Sequence, residues 1–218
     1  MITPKEIEQC LSELKTPRIT LYINEKRTKD FYDQFGGPDQ NSASTEIGSE
    51  LSSELKFWIA GIASKILGKK GQIKAKDISK SSQLMALVIE FHVKQRGELL
   101  DMSVERFGQK GWARYVGDGC ITKKGKILTV EKTNLPKEAL GVIHDERLRQ
   151  QAEWEPPESI VWTASGLTPL ASVANAKWVD DDDLASYAHN PIGIFGRPEQ
   201  QKGGVAFVSP IWIWHEGK

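Results

Sequence analysis

Apolar residues in the first third of the chain recur at helical spacing, whereas in the last two thirds they alternate or run together. Ile7, Leu11 and Leu14 stand three to four residues apart, which predicts an amphipathic helix. Its start is marked by Thr3, Pro4 and Glu6: a threonine cap, a proline in the first turn where its missing N–H is not needed, and a glutamate placed to complete a capping box. Residues 18–23 (RITLYI) alternate and are β-branched, so they predict a strand. Asn24 is placed to cap a short helix through Phe35, stopped by Gly36, Gly37 and Pro38. Beyond a polar loop, Leu51, Leu55, Trp58, Ile59, Ile62 and Ile66 form one stripe and predict a second helix over residues 45–69.

Residues 72–82 are polar and basic and predict an exposed connection. Residues 83–93 (QLMALVIEFHV) fit a buried strand or a helix; Val88, Ile89 and Phe91 favour a strand in the second half. A meander follows, with strands at 112–116, 120–122 and 127–133 and turns at 117–119 and 124–126. The remainder predicts a helix at 136–154, a strand at 159–164, a short helix at 180–189, and strands at 191–195 and 205–214 around a Gly-rich turn. The last strand places Val205, Phe207, Ile211 and Ile213 on one face and Ala206, Val208, Trp212 and Trp214 on the other. A strand apolar on both faces belongs inside a sheet or under cover on both sides. Helices followed by strands predict an α+β fold, an N-terminal helical part packed on a mostly antiparallel β-sheet or partial barrel. The shift in composition separates residues 1–80 from a β-rich part, 81–218, unless the two run together as one domain.

Composition narrows the function classes. Hydrophobic residues make up 39% and charged residues 27%, which suits a chain with a core. Lys+Arg and Asp+Glu both number 29, and this neutrality argues against a dedicated duplex-DNA binder. Cys10 and Cys120 make no metal or redox spacing, and the first residues (MITPKEIEQC) carry acids in place of an apolar core, so a cytoplasmic location is expected. No stretch approaches the ~20 apolar residues of a spanning helix.

The segment KFWIAGIASKILGKKG, residues 56–71, looks like a membrane-active peptide when cut out. On a helical wheel, however, Lys56 and Lys65 only flank the apolar stripe, while Lys69 and Lys70 fall at the end where basic groups suit the helix dipole. A core helix is the expected reading, with self-association or membrane-surface binding through residues 45–69 as alternatives. Lys69, Lys70, Lys74 and Lys76 lie in a basic stretch that phosphate contact or simple solvation explains. Trp212 and Trp214 suit core packing or a stacking platform for a ligand. Asp180, Asp181, Asp182 and Asp183 cap the start of a helix more readily than they converge on one ion, since consecutive helical residues point ~100° apart. Residues 119–127 (GCITKKGKI) miss the phosphate-loop spacing and have Ile127 where a Ser or Thr is needed; a lysine-rich hairpin turn fits better. Asp118 and Glu131 invite comparison with metal-dependent nucleases, but Glu131 and Lys132 are adjacent and point to opposite strand faces. His92, His144, His189 and His215 are scattered and form no zinc spacing.

Residues 22–34 (YINEKRTKDFYDQ) with the glycines after them, residues 193–196 (GIFG) and residues 209–214 (SPIWIW) resemble an uncharacterised bacterial domain-of-unknown-function family. The resemblance covers about a third of the chain and implies a bacterial cytoplasmic protein, with no chemistry to transfer. The expected function is a non-enzymatic binding or regulatory protein that recognises a protein partner or a small anionic, nucleotide-like ligand and needs no cofactor. The rival is a metal-dependent phosphodiesterase or nuclease that gathers Asp118, Glu131, Asp180 and Asp181.

Overall fold

The computed structural model of the chain describes residues 1–13, 17–38, 46–47, 73–74, 81–108, 110–123, 126–129, 159–164, 167–175 and 191–216. The fold is α+β, with two compact units. One holds Met1–Arg18, Asn24–Gly97 and Gly217–Lys218; the other holds Ile19–Ile23 and Glu98–Glu216. The composition shift near residue 80 therefore lies inside the first unit, and a strand from within that unit's sequence belongs to the second.

In the helical unit, α1 (Pro4–Glu13) begins with the expected capping box. The Thr3 N–H donates to Glu6 Oε2 at 2.8 Å and the Glu6 N–H to Thr3 Oγ1 at 3.3 Å. Ile2 and Ile7, in the positions of a hydrophobic staple, are both buried. α2 (Glu25–Gln34) is capped by Asn24, whose Oδ1 accepts from the Arg27 N–H at 3.1 Å. Glu46–Ile47 (β2) pairs antiparallel with Ile73–Lys74 (β3). The helix expected over 45–69 is thus corrected at its start: Glu46 and Ile47 are extended, held by a partner some 26 residues away that a local pattern does not reveal. The rest of that expected helix lies outside the described residues.

α3 (Ser82–Gln95) corrects a second expectation, for its latter half is helix, not strand. Ser81 caps it, accepting from the Leu84 N–H at 3.3 Å, and ten consecutive residues from Leu84 to Val93 are buried. A helix enclosed on all sides shows no apolar stripe, so periodicity does not mark it. Its length of 14 residues is the better signal, because strands of this kind usually run ~4–8. Both α1 and α2 pack against α3. Among the described residues, no helix is long and apolar enough to cross a membrane.

In the sheet unit, nine described strands form one open sheet. They are β1 (Arg18–Ile23), β4 (Leu99–Asp101), β5 (Trp112–Gly117), β6 (Gly119–Lys123), β7 (Lys126–Thr129), β8 (Ser159–Ala164), β9 (Leu170–Asn175), β10 (Ile192–Lys202) and β11 (Val205–Glu216). The order is β4-β5-β10-β11-β9-β8-β6-β7, and β1 also pairs with β11. Most pairs are antiparallel; β4 with β5 and β11 with β9 are parallel. The expected meander forms only in part. β6 and β7 make a hairpin, but β5 pairs with β4 and β10 instead of β6. Asp118 alone joins β5 to β6, although four strands separate them in the sheet order. A flat sheet would place them ~24 Å apart at ~4.8 Å per strand, and one linking residue spans ~7 Å. The sheet therefore curls back toward itself while β5 and β6 stay unpaired with each other. At this corner the Tyr115 hydroxyl donates to the Asp118 carbonyl at 2.7 Å.

β11 is the spine, with β10 along one edge and β9 and β1 along the other, as its two apolar faces predict. Gly203 and Gly204, at φ of 55° and 79°, make the two-residue turn from β10 that twists with the strands. The faces of β11 do not follow simple alternation. Phe195 lies opposite Trp212 and Gly196 opposite Pro210, so Ile211 has no opposite residue in the ladder. This bulge flips the register, and Ala206 and Val208 share the core with Ile213 in place of Trp212 and Trp214. That core also holds Leu21, Tyr115, Leu170 and Ile194. β9 escaped the sequence reading because Ala, Ser and Asn are weak strand formers; burial against β8 and β11 decides it.

Candidate functional site

Trp212 and Trp214 are fully buried. Their rings lie 4.7 Å apart, the Trp212 Nε1–H donates to Thr20 Oγ1 at 3.0 Å, and the Trp214 Nε1–H donates to Glu216 Oε1 at 2.9 Å. Trp112 stacks on Phe195 at 5.2 Å, and the Arg197 guanidinium sits 4.9 Å from the Trp112 ring centre. Opposite Trp214, a Cβ on Gly193 would come within 1.9 Å of the indole, so the ring occupies the space a side chain would take. These indoles pack the interior and present no open face to a base or nucleotide.

Of the other candidate residues, Lys74 and Asp118 fall among the described ones. Lys74 is in β3, opposite Glu46 in the ladder. Lys69, Lys70, Lys76, Glu131, Asp180 and Asp181 lie outside the described residues. Asp118 is exposed at the β5–β6 corner. Among the described residues, no group of three His, Cys, Asp or Glu side chains is placed to hold a metal ion.

What the structure does assemble are two polar contacts around α3. Arg18 forks onto Glu90, with Nη1–Oε2 at 2.5 Å and Nη2–Oε1 at 3.2 Å, and both residues are buried. His92 Nδ1 lies 2.8 Å from Glu6 Oε1, and the Phe35 ring packs beside the imidazole at 5.1 Å. Among the described residues, His92 Nε2 is enclosed and meets no hydrogen-bonding group. Two residues apart on a helix means ~200°, so Glu90 and His92 reach different neighbours; on a strand they would have faced the same way. Burial pushes the Glu6 carboxyl up, but hydrogen bonds from His92 and from Thr3 outweigh it and hold the group below the usual range. Burial, reinforced by the Glu90 carboxylate, pushes the Cys10 thiol well up, so Cys10 is no ready nucleophile. Sequence spacing gave no hint of the Glu6–His92 contact because 86 residues separate its partners.

In the sheet unit, Arg114 and Asp101 are cross-strand partners of β5 and β4, and Lys110 and Glu105 lie on the loop between those strands. Arg114 Nη1 meets Asp101 Oδ2 at 3.2 Å and Lys110 Nζ meets Glu105 Oε2 at 3.0 Å. The Lys110 bond, with the Asp101 N–H, holds the Glu105 carboxyl below its usual range. The Phe107 N–H donates to Thr168 Oγ1 at 3.1 Å, tying the β4–β5 loop to the β8–β9 loop. On these joined loops, Val104 is 70% and Leu167 60% exposed, and the exposed Arg106 precedes Phe107. No family model, curated protein or solved structure matches the chain, so the likeness seen in residues 22–34, 193–196 and 209–214 assigns it to no family.

Proposed function

We propose that this chain is a non-catalytic binding or regulatory protein of the bacterial cytoplasm. It recognises a protein partner, or a small anionic ligand, through the joined β4–β5 and β8–β9 loops. The observation that carries this reading is the exposure of Val104 and Leu167 on loops that the Phe107–Thr168 bond holds together. Large apolar side chains gain free energy when a partner covers them. A loop pair already fixed by internal bonds loses less freedom on binding than a loose one. Arg106 beside the apolar residues supplies a charge for orienting an acidic group.

The test compares the wild-type chain with the Val104→Asp/Leu167→Asp variant. Both are immobilised, exposed to bacterial extract, and the retained proteins are quantified, then purified and titrated. Retention by the wild type with at least tenfold weaker affinity in the variant supports the reading, a loss of about 1.4 kcal/mol or more. Equal retention overturns it. Hydrolysis of a generic phosphodiester with Mg²⁺ or Mn²⁺ that is lost in Asp181→Ala would replace it with the metal-dependent reading.

A further inference from the structure

β4 is the end strand in the described order, and its pairing with β5 fixes which backbone groups it leaves outward. The Trp112 N–H donates to the Glu98 carbonyl at 3.2 Å and the Met102 N–H to the Arg114 carbonyl at 2.8 Å. Adjacent residues of a strand direct their backbone groups to opposite sides, so Leu100 faces β5 while Leu99 and Asp101 turn theirs away. Outward groups of this kind are a template for another strand. Here the loop after β4 occupies them. Lys110 Nζ donates to the Leu99 carbonyl at 3.1 Å and the Asp101 N–H donates to Glu105 Oε1 at 3.2 Å. The Asp101 carbonyl accepts from the Val104 and Glu105 N–H groups at 3.1 and 2.8 Å. Lys110 also donates to Glu105 Oε2 at 3.0 Å, which joins the two side chains into one strap across the edge. The Lys110 side chain is 38% and the Glu105 side chain 43% exposed, and an ion pair that open adds little to stability.

We infer that Glu105 and Lys110 are an edge guard, which keeps β4 from pairing with β4 of a second copy of this chain. The occupant follows from symmetry. Two β4 edges brought together antiparallel about a two-fold axis place Leu99 of each copy opposite Asp101 of the other. A directly opposed pair of this kind exchanges both N–H···O bonds, and the groups it uses are the outward ones of Leu99 and Asp101. Among those, the Leu99 carbonyl, the Asp101 N–H and the Asp101 carbonyl are the groups that the loop has taken. Charged side chains, lysine above all, blunt sheet edges in this way. The guard acts on the backbone of β4 and does not depend on the exposed side chains of Val104 and Leu167.

The test follows the full chain by sedimentation equilibrium from ~5 to ~500 µM and by amide hydrogen exchange. Glu105→Ala/Lys110→Ala is expected to self-associate about tenfold more tightly than the wild type, or more. At low concentration its Asp101 amide exchanges about tenfold faster than in the wild type, and at high concentration the protection returns as the copies pair. Self-association equal to that of the wild type overturns the inference, even where Asp101 exchanges faster. So does association that leaves the Asp101 amide unprotected, which places the contact elsewhere. An equal gain in Arg106→Ala, a charge of the same loop outside the strap, overturns it as well. If the double variant loses its circular dichroism, Lys110→Ala, which frees the Leu99 carbonyl alone, decides by its self-association. Because Val104→Asp/Leu167→Asp leaves the strap in place, failure of the loop contact and failure of the guard are told apart.

Discussion

In the helical unit, charged and polar side chains lie inside, where Glu90 meets Arg18 and His92 meets Glu6 around one enclosed helix. In the sheet unit, the described ion pairs are half-exposed, Arg114–Asp101 across the β4–β5 ladder and Lys110–Glu105 on the loop between those strands, and the ladder interior is packed by Tyr115, Ile194 and Ile213 on one face and by Trp112, Phe195, Trp212 and Trp214 on the other. The difference follows from how each architecture finds its partners. A helix satisfies its own backbone, so its lateral position depends on side-chain contacts, and a forked ion pair sets that position sharply. Strands are aligned by backbone hydrogen bonds to their neighbours, so the side chains between them are free to be apolar. The lesson is that an enclosed charge pair here marks positioning, while the half-exposed pairs of the sheet unit add little to it.

The most forceful way to break this comparison is to remove half of the enclosed ion pair. Arg18→Ala removes the guanidinium that forks onto the buried Glu90 carboxylate and is expected to lower unfolding free energy by about 3–5 kcal/mol, measured by denaturant titration. Replacing both residues, Arg18→Leu with Glu90→Leu, is expected to restore most of that loss, since no charge is left alone. A single-variant loss no larger than that of a surface substitution, about 0.5 kcal/mol, would erase the distinction between the units.

Gly193→Ala sharpens the comparison from the other side. The new methyl group collides with the enclosed Trp214 ring, and a loss of about 1–3 kcal/mol is expected from overpacking. Near-unchanged stability, with unchanged tryptophan fluorescence, would mean that the aromatic layer yields and is not close-packed.

The smallest effect concerns Glu6. Its carboxyl is held below the ordinary value of 4.5, so the stabilisation from its ionised form is fully present above that pH and is lost as the pH falls through the lowered value. Glu6→Gln is expected to cost about 0.5–1.5 kcal/mol at neutral pH, with the difference from wild type shrinking in acid. A difference that stays constant from pH 7 down to about pH 2, in paired denaturant titrations, would remove the carboxylate from the account.

Signals within a few residues of their effect were legible in the chain. Thr3 with Glu6, Asn24 and the glycines between β10 and β11 act through backbone groups close by in sequence, so the elements they begin or join were readable. The twin apolar faces of β11 likewise marked a central strand, and they pointed to core packing of Trp212 and Trp214. The candidate surfaces were legible only as fragments. The lysines of residues 119–127 stood out as a hairpin turn, but their cross-strand pairing is a matter of register. Phe107 and Thr168, 61 residues apart, share no local pattern.

The amino-acid sequence by itself determined the caps, the β10–β11 turn and the α+β class, because these rest on backbone preferences and side-chain spacing over one or two turns. Only the tertiary structure decided that residues 82–95 are helix, that Ile211 shifts the faces of β11, that β5 leaves β6 for β10, and that Glu6 meets His92. Each of those outcomes depends on which distant group supplies burial or a hydrogen bond, and that free energy exists only once the chain has folded.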